Sequence, residues 1–269
     1  MIPKKIHYCW FGGSDKPLHV IKCINSWKKY CPDYEIIEWN ENNVDISQMP
    51  VYTRQAYEQK KWAFVSDYIR VWVVHNEGGL YFDTDVEAVR NFDSLLNEHS
   101  YFGFEDSGFV ALGLGFGAEK GNIILKEILE QYDSRVFVKE DGSLDLTPSP
   151  AIITSVFLNR GLCKNNKLQS IDNVATVFPT EYFCPFGYYT GKLQRTSNTY
   201  SIHWFDASWQ TEEQRSEHLQ RIKEGKKLER KNDFLAVKKE KGLLHANIWV
   251  LKDTVSKLIK DFLGTLNRF

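Results

Sequence analysis

The stretch that most constrains the fold runs from Ala63 to Glu87, AFVSDYIRVWVVHNEGGLYFDTDVE. Phe64, Ile69, Val73 and Val74 recur at helical spacing with polar residues between them, which predicts a helix over the first half. Gly78-Gly79 supplies the left-handed backbone that ends a helix at little cost. Leu80-Tyr81-Phe82 is a short apolar run, read as a buried strand, with Asp83-Thr84-Asp85 at its C-terminal end. In open α/β sheets that end is where ligands sit. Carboxylates two positions apart on an extended chain point to one face. One can then bind a metal while the other holds a water or a ligand hydroxyl, and oxygen donors of this kind suit Mg²⁺ or Mn²⁺ when a substrate diphosphate completes the shell. A D-x-D triplet by itself arises roughly once by chance in a chain this rich in aspartate, so its surroundings carry the weight.

The 269 residues suffice for one domain of ordinary size with an appendage, and 42% hydrophobic with 26% charged residues is a globular balance. A formal net charge of −1 gives no reason to expect a nucleic-acid partner. Aromatic residues make up 14% of the chain, with 8 Trp, which suits sugar stacking and large cores equally. The five cysteines, Cys9, Cys23, Cys31, Cys163 and Cys184, form no C-x-x-C pair, so neither a zinc site nor a disulfide framework is expected and a reducing cytoplasm fits. The opening MIPKKIHYCWFGG does not read as a secretory signal, and no apolar run approaches the ~20 residues of a spanning helix. A cytoplasmic protein, at most peripheral to the inner face of a plasma membrane, is expected.

In chain order, Lys5 to Phe11 reads as a strand, Pro17 to Tyr30 as a helix stopped by Cys31-Pro32, and Tyr34 to Trp39 as a second strand. His7 in the first strand reads as a core histidine. A polar loop over 40–50 and a helix from Tyr52 to Lys61 follow. Asp67 and Arg70, three apart, share a helical face, where spacing alone predicts an ion pair. After the central motif we expect a continuing strand from Val86 to Arg90, a short helix from Asn91 to Ser100, and a strand from Tyr101 to Glu105 ending on Glu105-Asp106. Gly108 to Gly117, glycine-rich but without a P-loop lysine and serine, reads as a strand and bend. Helices over Asn122–Tyr132 and Pro150–Asn159, a loop over Lys139–Pro150, a strand over Val174–Pro179, an aromatic-rich loop to Tyr189 and a last strand over Thr199–Trp204 complete residues 1–212. The segment 213–269 is helical, charged from Gln214 to Lys241 and amphipathic from Leu243 onward. That last helix either packs on its own domain or meets an anionic membrane face.

S-D-Y-I-R followed by G-G-L-Y-F-D-T-D resembles the sugar-binding region of glycosyltransferase family 32, a group of capsular-polysaccharide and yeast mannosyl transferases related to the large clostridial glucosylating toxins. The resemblance extends to I-P-K-K-I-H-Y-C-W-F-G-G and to H-W-F-D-A-S-W. It implies an α/β fold of the GT-A type, a Rossmann-like mixed sheet flanked by helices, with a C-terminal helical extension. It implies that Trp10 stacks on the uracil of a UDP-sugar donor, that Asp67 binds donor-sugar hydroxyls, that Arg70 binds the sugar or diphosphate, and that Tyr81 belongs to the donor-binding set. Asp83 and Asp85 then hold Mn²⁺ or Mg²⁺, with His203 or Ser208 as a further ligand and Trp209 on the leaving group. Glu105 and Asp106 are candidates for a carboxylate beside the reacting carbon. Thr147-Pro148-Ser149-Pro150 lies where relatives carry a T-G-P-like segment near the acceptor. The implied activity is retaining, metal-dependent transfer of a hexose (galactose, glucose or an N-acetylated form) to a growing polysaccharide or a lipid-linked oligosaccharide acceptor, as in capsular or cell-surface polysaccharide synthesis. The competing readings are a non-catalytic carbohydrate-binding protein on the same fold and a metal-dependent phosphoesterase.

Overall fold

The computed structural model describes residues 1–206 and 212–241, with His245, Ile248 and residues 250–252 beyond them. The chain opens with β1 (Lys5–Cys9), α1 (Leu18–Tyr30) and β2 (Glu35–Trp39), followed by α2 (Val51–Glu58) and α3 (Trp62–Glu77). Then come β3 (Gly79–Tyr81), β4 (Val86–Ala88), β5 (Ser100–Gly103), β6 (Phe116–Ala118), α4 (Ile123–Asp133) and α5 (Ser149–Asn159). The first compact unit, which ends at Thr211, closes with β7 (Gln169–Ile171), β8 (Ala175–Phe178), α6 (Thr180–Phe183) and β9 (Ser201–His203).

Seven strands form one mixed sheet in the order β2-β1-β3-β6-β5-β8-β7. The β2-β1-β3 part is parallel, and β6 runs antiparallel to both β3 and β5. With its flanking helices this is the α/β architecture expected, a mixed sheet covered on both faces. Neighbouring residues along the strands enter different cores. Cys9, Tyr81, Phe102 and Val177 join the cluster built with α2 to α5, whereas Tyr8, Leu80, Tyr101 and Phe178 join the cluster built with α1. That alternation is the period-2 signature of a sheet buried on both faces. α3 is apolar over most of its circumference because α2, α4 and the sheet enclose it.

Several expected boundaries change. The strand after the central motif does not continue in the main sheet; β4 pairs antiparallel with β9 in a separate ribbon, Val86 opposite His203 and Ala88 opposite Ser201. Trp27, at 0% exposure, donates from Nε1 to the Val86 carbonyl at 2.7 Å, and the Ser26 hydroxyl accepts from the Ala88 amide, so α1 pins this ribbon. The helix expected over 91–100 shrinks to one 3₁₀ turn at Asp93–Leu95, because Asn91 Oδ1 takes the Asp93 amide and Ser100 already belongs to β5. Thr180–Phe183 is a helical turn inside the expected loop, and β7 is an edge strand that the sequence did not announce. Asn122 caps α4, its side chain accepting from the Ile124 and Leu125 amides.

His7 is buried at the crossing of β1 with the α3–β3 turn. The Trp39 indole N–H donates to its Nδ1 at 3.0 Å, so Nε2 carries the proton and donates to the Gly78 carbonyl at 2.9 Å. This is the structural role expected of it. Gly78 and Gly79 have φ of 68° and 114°, and a Cβ on Gly79 would lie 2.9 Å from the Lys5 carbonyl oxygen. The close pass of β1 over this turn fixes where β3 starts, and therefore where it ends.

In the second unit, α7 (Glu212–Lys241) carries charge along its length, with Leu219 and Leu235 exposed. The amphipathic stretch from Leu243 lies almost wholly outside the described residues. Among the described residues no helix is long and apolar enough to cross a membrane.

Ile69→Ala on the enclosed face of α3 is expected to lower unfolding free energy by about 2–5 kcal/mol. Ile21→Ala at a 41% exposed position of α1 should stay within ~0.5 kcal/mol in the same denaturant titration. Burial lowers the His7 pKa from its ordinary value of 6.5 because the ring loses water, and the bond to the Gly78 carbonyl, which favours the charged form, only partly offsets this. The unfolded chain therefore binds the extra proton first. The contribution is whole above about 6.5 and is lost as pH falls through the lower folded value. Wild-type stability should decline between pH 7 and 5, and His7→Gln should be less stable at pH 7 but flatter across that window.

Candidate active site

β3 delivers its last side chains on alternating faces. Tyr81 points to the α3 side, and its hydroxyl donates to Asp83 Oδ1 at 3.1 Å. The chain turns at Thr84–Asp85, where the Val86 amide bonds the Asp83 carbonyl at 3.0 Å. The two carboxylates therefore converge across a turn, not along the extended strand that the spacing suggested.

Arg70 is the hub on the α3 side, with only 6% of its side chain exposed. One terminal nitrogen lies 3.0 Å from Asp67 Oδ1, and the other donates to Asp83 Oδ2 at 3.3 Å. Nε donates to the Ser66 carbonyl at 3.0 Å, so the helix's own backbone orients the guanidinium. Its carbon sits 5.4 Å from the centre of the Tyr81 ring. The ion pair expected from the 67/70 spacing is present and reaches further, bridging to the D-x-D. Asp67 Oδ1 also accepts from the Ser149 hydroxyl at 2.8 Å, bringing the T-P-S-P segment into the network. Gly113 leaves room for all this, since a Cβ there would stand 2.5 Å from Asp83 Oδ2.

Asp85 belongs to the other half of the site. Its Oδ1 lies 3.2 Å from His203 Nε2, its Oδ2 accepts from the Asp206 amide at 2.9 Å, and its carbonyl accepts from the Trp204 amide at 3.0 Å. The β4–β9 ribbon sets this contact, because Val86 and His203 are paired. One ligand atom each from Asp83, Asp85 and His203 lie within 4.8 Å of one another. His203 Nδ1 is buried without a hydrogen-bond partner. Two carboxylates and an imidazole with an unsatisfied nitrogen fit a divalent cation.

Burial raises the Asp83 carboxyl above the usual carboxylate range against the pull of Arg70. Burial acts the same way on Asp85, but His203 and the Asp206 amide outweigh it and hold that carboxyl low. Burial would lower His203; Asp85, by charge and hydrogen bond, raises it instead. Asp67 is raised by burial despite Arg70 and Ser149. Asp85 is thus set against the His203 imidazole and Asp83 against the Arg70 guanidinium.

Of the remaining candidates, Glu105, Asp106 and Trp10 fall among the described residues. Glu105 accepts from the Ser107 hydroxyl; burial raises its carboxyl, and His203 is close enough to oppose that shift. Asp106 is exposed and stands by Gly187, where a Cβ would be 3.2 Å from Oδ2. Trp10 is half-buried just past the end of β1, its indole N–H donating to the Ser14 carbonyl at 2.7 Å and Lys16 Nζ 5.6 Å from its ring. Ser208 and Trp209 lie outside the described residues. Sequence reasoning missed Gly113, the Ser149 contact with Asp67 and the backbone amide of Asp206. The glycine-rich run, the T-P-S-P segment and H-W-F-D-A-S-W each marked the region, but none said which atom meets which carboxylate.

Residues 17–102 match the family described as "Glycosyltransferase sugar-binding region containing DXD motif". No curated protein matches the chain. Among solved structures, the PaToxG glycosyltransferase is similar with 21% identity and a TM-score of 0.46, over 59% of this chain and 69% of that one. A glycosyltransferase involved in glycosylation of the major capsid of PBCV-1 is similar with 12% identity and a TM-score of 0.44, over 80% of this chain and 98% of that one. Residues 17–102, which carry Asp67, Arg70, Asp83 and Asp85, thus match a glycosyltransferase sugar-binding region with its D-x-D motif.

Proposed function

We propose that the chain transfers a hexose (galactose, glucose or an N-acetylated form) from a UDP-sugar to a hydroxyl of a growing polysaccharide or lipid-linked glycan, with retention of configuration and with Mn²⁺ or Mg²⁺. The observation that carries this reading is the convergence of Asp83, Asp85 and His203 ligand atoms within 4.8 Å, beside a guanidinium that already touches Asp83. These three side chains would hold the cation, which supplies positive charge against the charge that builds on the diphosphate as UDP departs. Arg70 adds a second positive charge fixed in advance, which costs no reorganisation during the reaction. Asp67, held by Arg70 and Ser149, orients a donor hydroxyl, and Trp10 offers its ring to the uracil. Tyr81 acts on the donor through Asp83 and Arg70, since its own side chain is buried.

In this reading the acceptor oxygen bonds to the anomeric carbon as the carbon–oxygen bond to the diphosphate breaks. The acceptor's proton passes to the departing phosphate oxygen. A double displacement through Glu105 or Asp106 is the competing route; the front-face route is preferred because Glu105 is engaged by the Ser107 hydroxyl and Asp106 is exposed beside Gly187. Residues 1–212 form the catalytic domain, and 213–269 face the acceptor or a membrane. The setting is cytoplasmic, in capsular or cell-surface polysaccharide synthesis, peripheral to the inner face of the plasma membrane.

Incubation with UDP-hexoses and Mn²⁺ should release UDP, and Asp85→Asn should lower that release by about 10²-fold or more. Equal turnover in the variant would remove the cation role. Gly113→Ala drives a methyl group into the Asp83 carboxylate. It should weaken Mn²⁺ binding by about 10–100-fold in calorimetry and lower unfolding free energy by about 1–3 kcal/mol as the Arg70 network shifts.

A further inference from the structure

Beyond the donor site, one cluster of rings has no part in the chemistry above. Residues 184–194 fold into a hairpin-like loop, with Phe186 bridged to Leu193 and the Gly187 amide on the Lys192 carbonyl at 2.9 Å. Phe205 packs its ring 4.1 Å from the His203 ring, Tyr188 lies 5.2 Å from Phe205, and Tyr189 lies 5.1 Å from Tyr188. The series starts at a half-buried ring beside the candidate metal site and ends at Tyr189, which is 66% exposed. Asp106 reaches the same loop at Gly187.

A second, independent feature marks Phe205. Its φ is +54°, a left-handed conformation that a bulky residue seldom adopts. The amides on either side hold it there, Trp204 N on the Asp85 carbonyl and Asp206 N on the Asp85 carboxylate. Strain of this kind persists where the surroundings over-determine it, and it clusters at ligand sites. Here it sets the ring between those of His203 and Tyr188.

We propose that Phe205, Tyr188 and Tyr189 form an acceptor subsite whose occupant is a neutral pyranose of a glycan. The ring's C–H face stacks on Tyr189, Tyr188 stands beside it with its ring at 81° to that of Tyr189, and Asp106 accepts a hydrogen bond from one of its hydroxyls. The chemistry selects this occupant. Phenol rims and a carboxylate suit a polyhydroxylated ring, whereas an acyl chain gains nothing from the carboxylate, and a phosphate or an acidic sugar is repelled by Asp106 and Glu105. The identification of the subsite as the acceptor's rests on the transferase reading, but binding itself can be read without turnover.

Saturation-transfer NMR on the full chain, without nucleotide or metal, tests it with the methyl pyranosides of galactose, glucose and N-acetylglucosamine. The ring C–H protons of at least one glycoside should receive saturation, and Tyr189→Ala should reduce it about fivefold. Tyr189→Phe should retain it, because the stacking face survives. The 66% exposure of Tyr189 makes loss of fold an improper explanation, and an unchanged thermal midpoint checks this. Signals that survive in a Tyr188→Ala/Tyr189→Ala double variant overturn the proposal. So does an absence of transfer to every glycoside, or transfer only to a tyrosine-containing peptide or to detergent acyl chains. Ring-dependent binding with no UDP-hexose turnover would keep the subsite and remove the proposed function; turnover without ring-dependent binding would do the reverse.

Discussion

A guanidinium buried between two carboxylates is the constraint on which the site depends. Arg70 cannot shed its proton, and a buried cation is tolerated only with partners in good geometry. Asp67 and Asp83 supply the charge, Ser66 supplies the backbone acceptor, and Tyr81 supplies a ring. Each partner is thereby fixed as well. The arrangement uses stability to hold an anion at the tip of β3 in one direction before any ligand arrives. Gly113 belongs to the same constraint, since the network fits only where that chain segment carries no side chain.

The second half of the site is organised by backbone pairing. The β4–β9 ribbon is short, yet it brings His203 to Asp85 and threads the following amides onto the same carboxylate. α1 holds the ribbon from behind through Trp27 and Ser26. Asp83 and Asp85 are two positions apart in sequence but answer to different scaffolds, one a helix and the other a ribbon. That difference explains their opposite electrostatic settings. Asp83 pays for burial with only partial relief from Arg70, whereas Asp85 is relieved by a full set of donors.

The central segment was readable because its signals are local. Helical periodicity gave α3, paired glycines gave its end, and a three-residue apolar run gave β3 with the acidic pair beyond it. The 67/70 pair followed from helical geometry. Long-range choices left no comparable trace. Nothing in V-E-A or S-I-H says that these segments pair with each other and not with the main sheet. The apolar spacing of NFDSLLNEHS suggested a helix, but Asn91 turns the chain and β5 claims its end. The contact of Ser149 with Asp67 depends on where a long loop returns, which composition does not encode.

The ribbon has a consequence for the birth of the protein. Glu87 and the Trp204 that bonds it are 117 positions apart, with β5 to β8 and three helices made between them. A ribosome therefore finishes the helix, the glycine turn and the acidic tip long before the histidine emerges. Closing so long a loop carries an entropic cost that the earlier contacts must already have offset. The nascent chain displays its two aspartates without their third companion, so the complete constellation is assembled only near the end of translation of this unit. Any chain that stops short of that strand keeps the motif in its sequence and lacks His203 beside it.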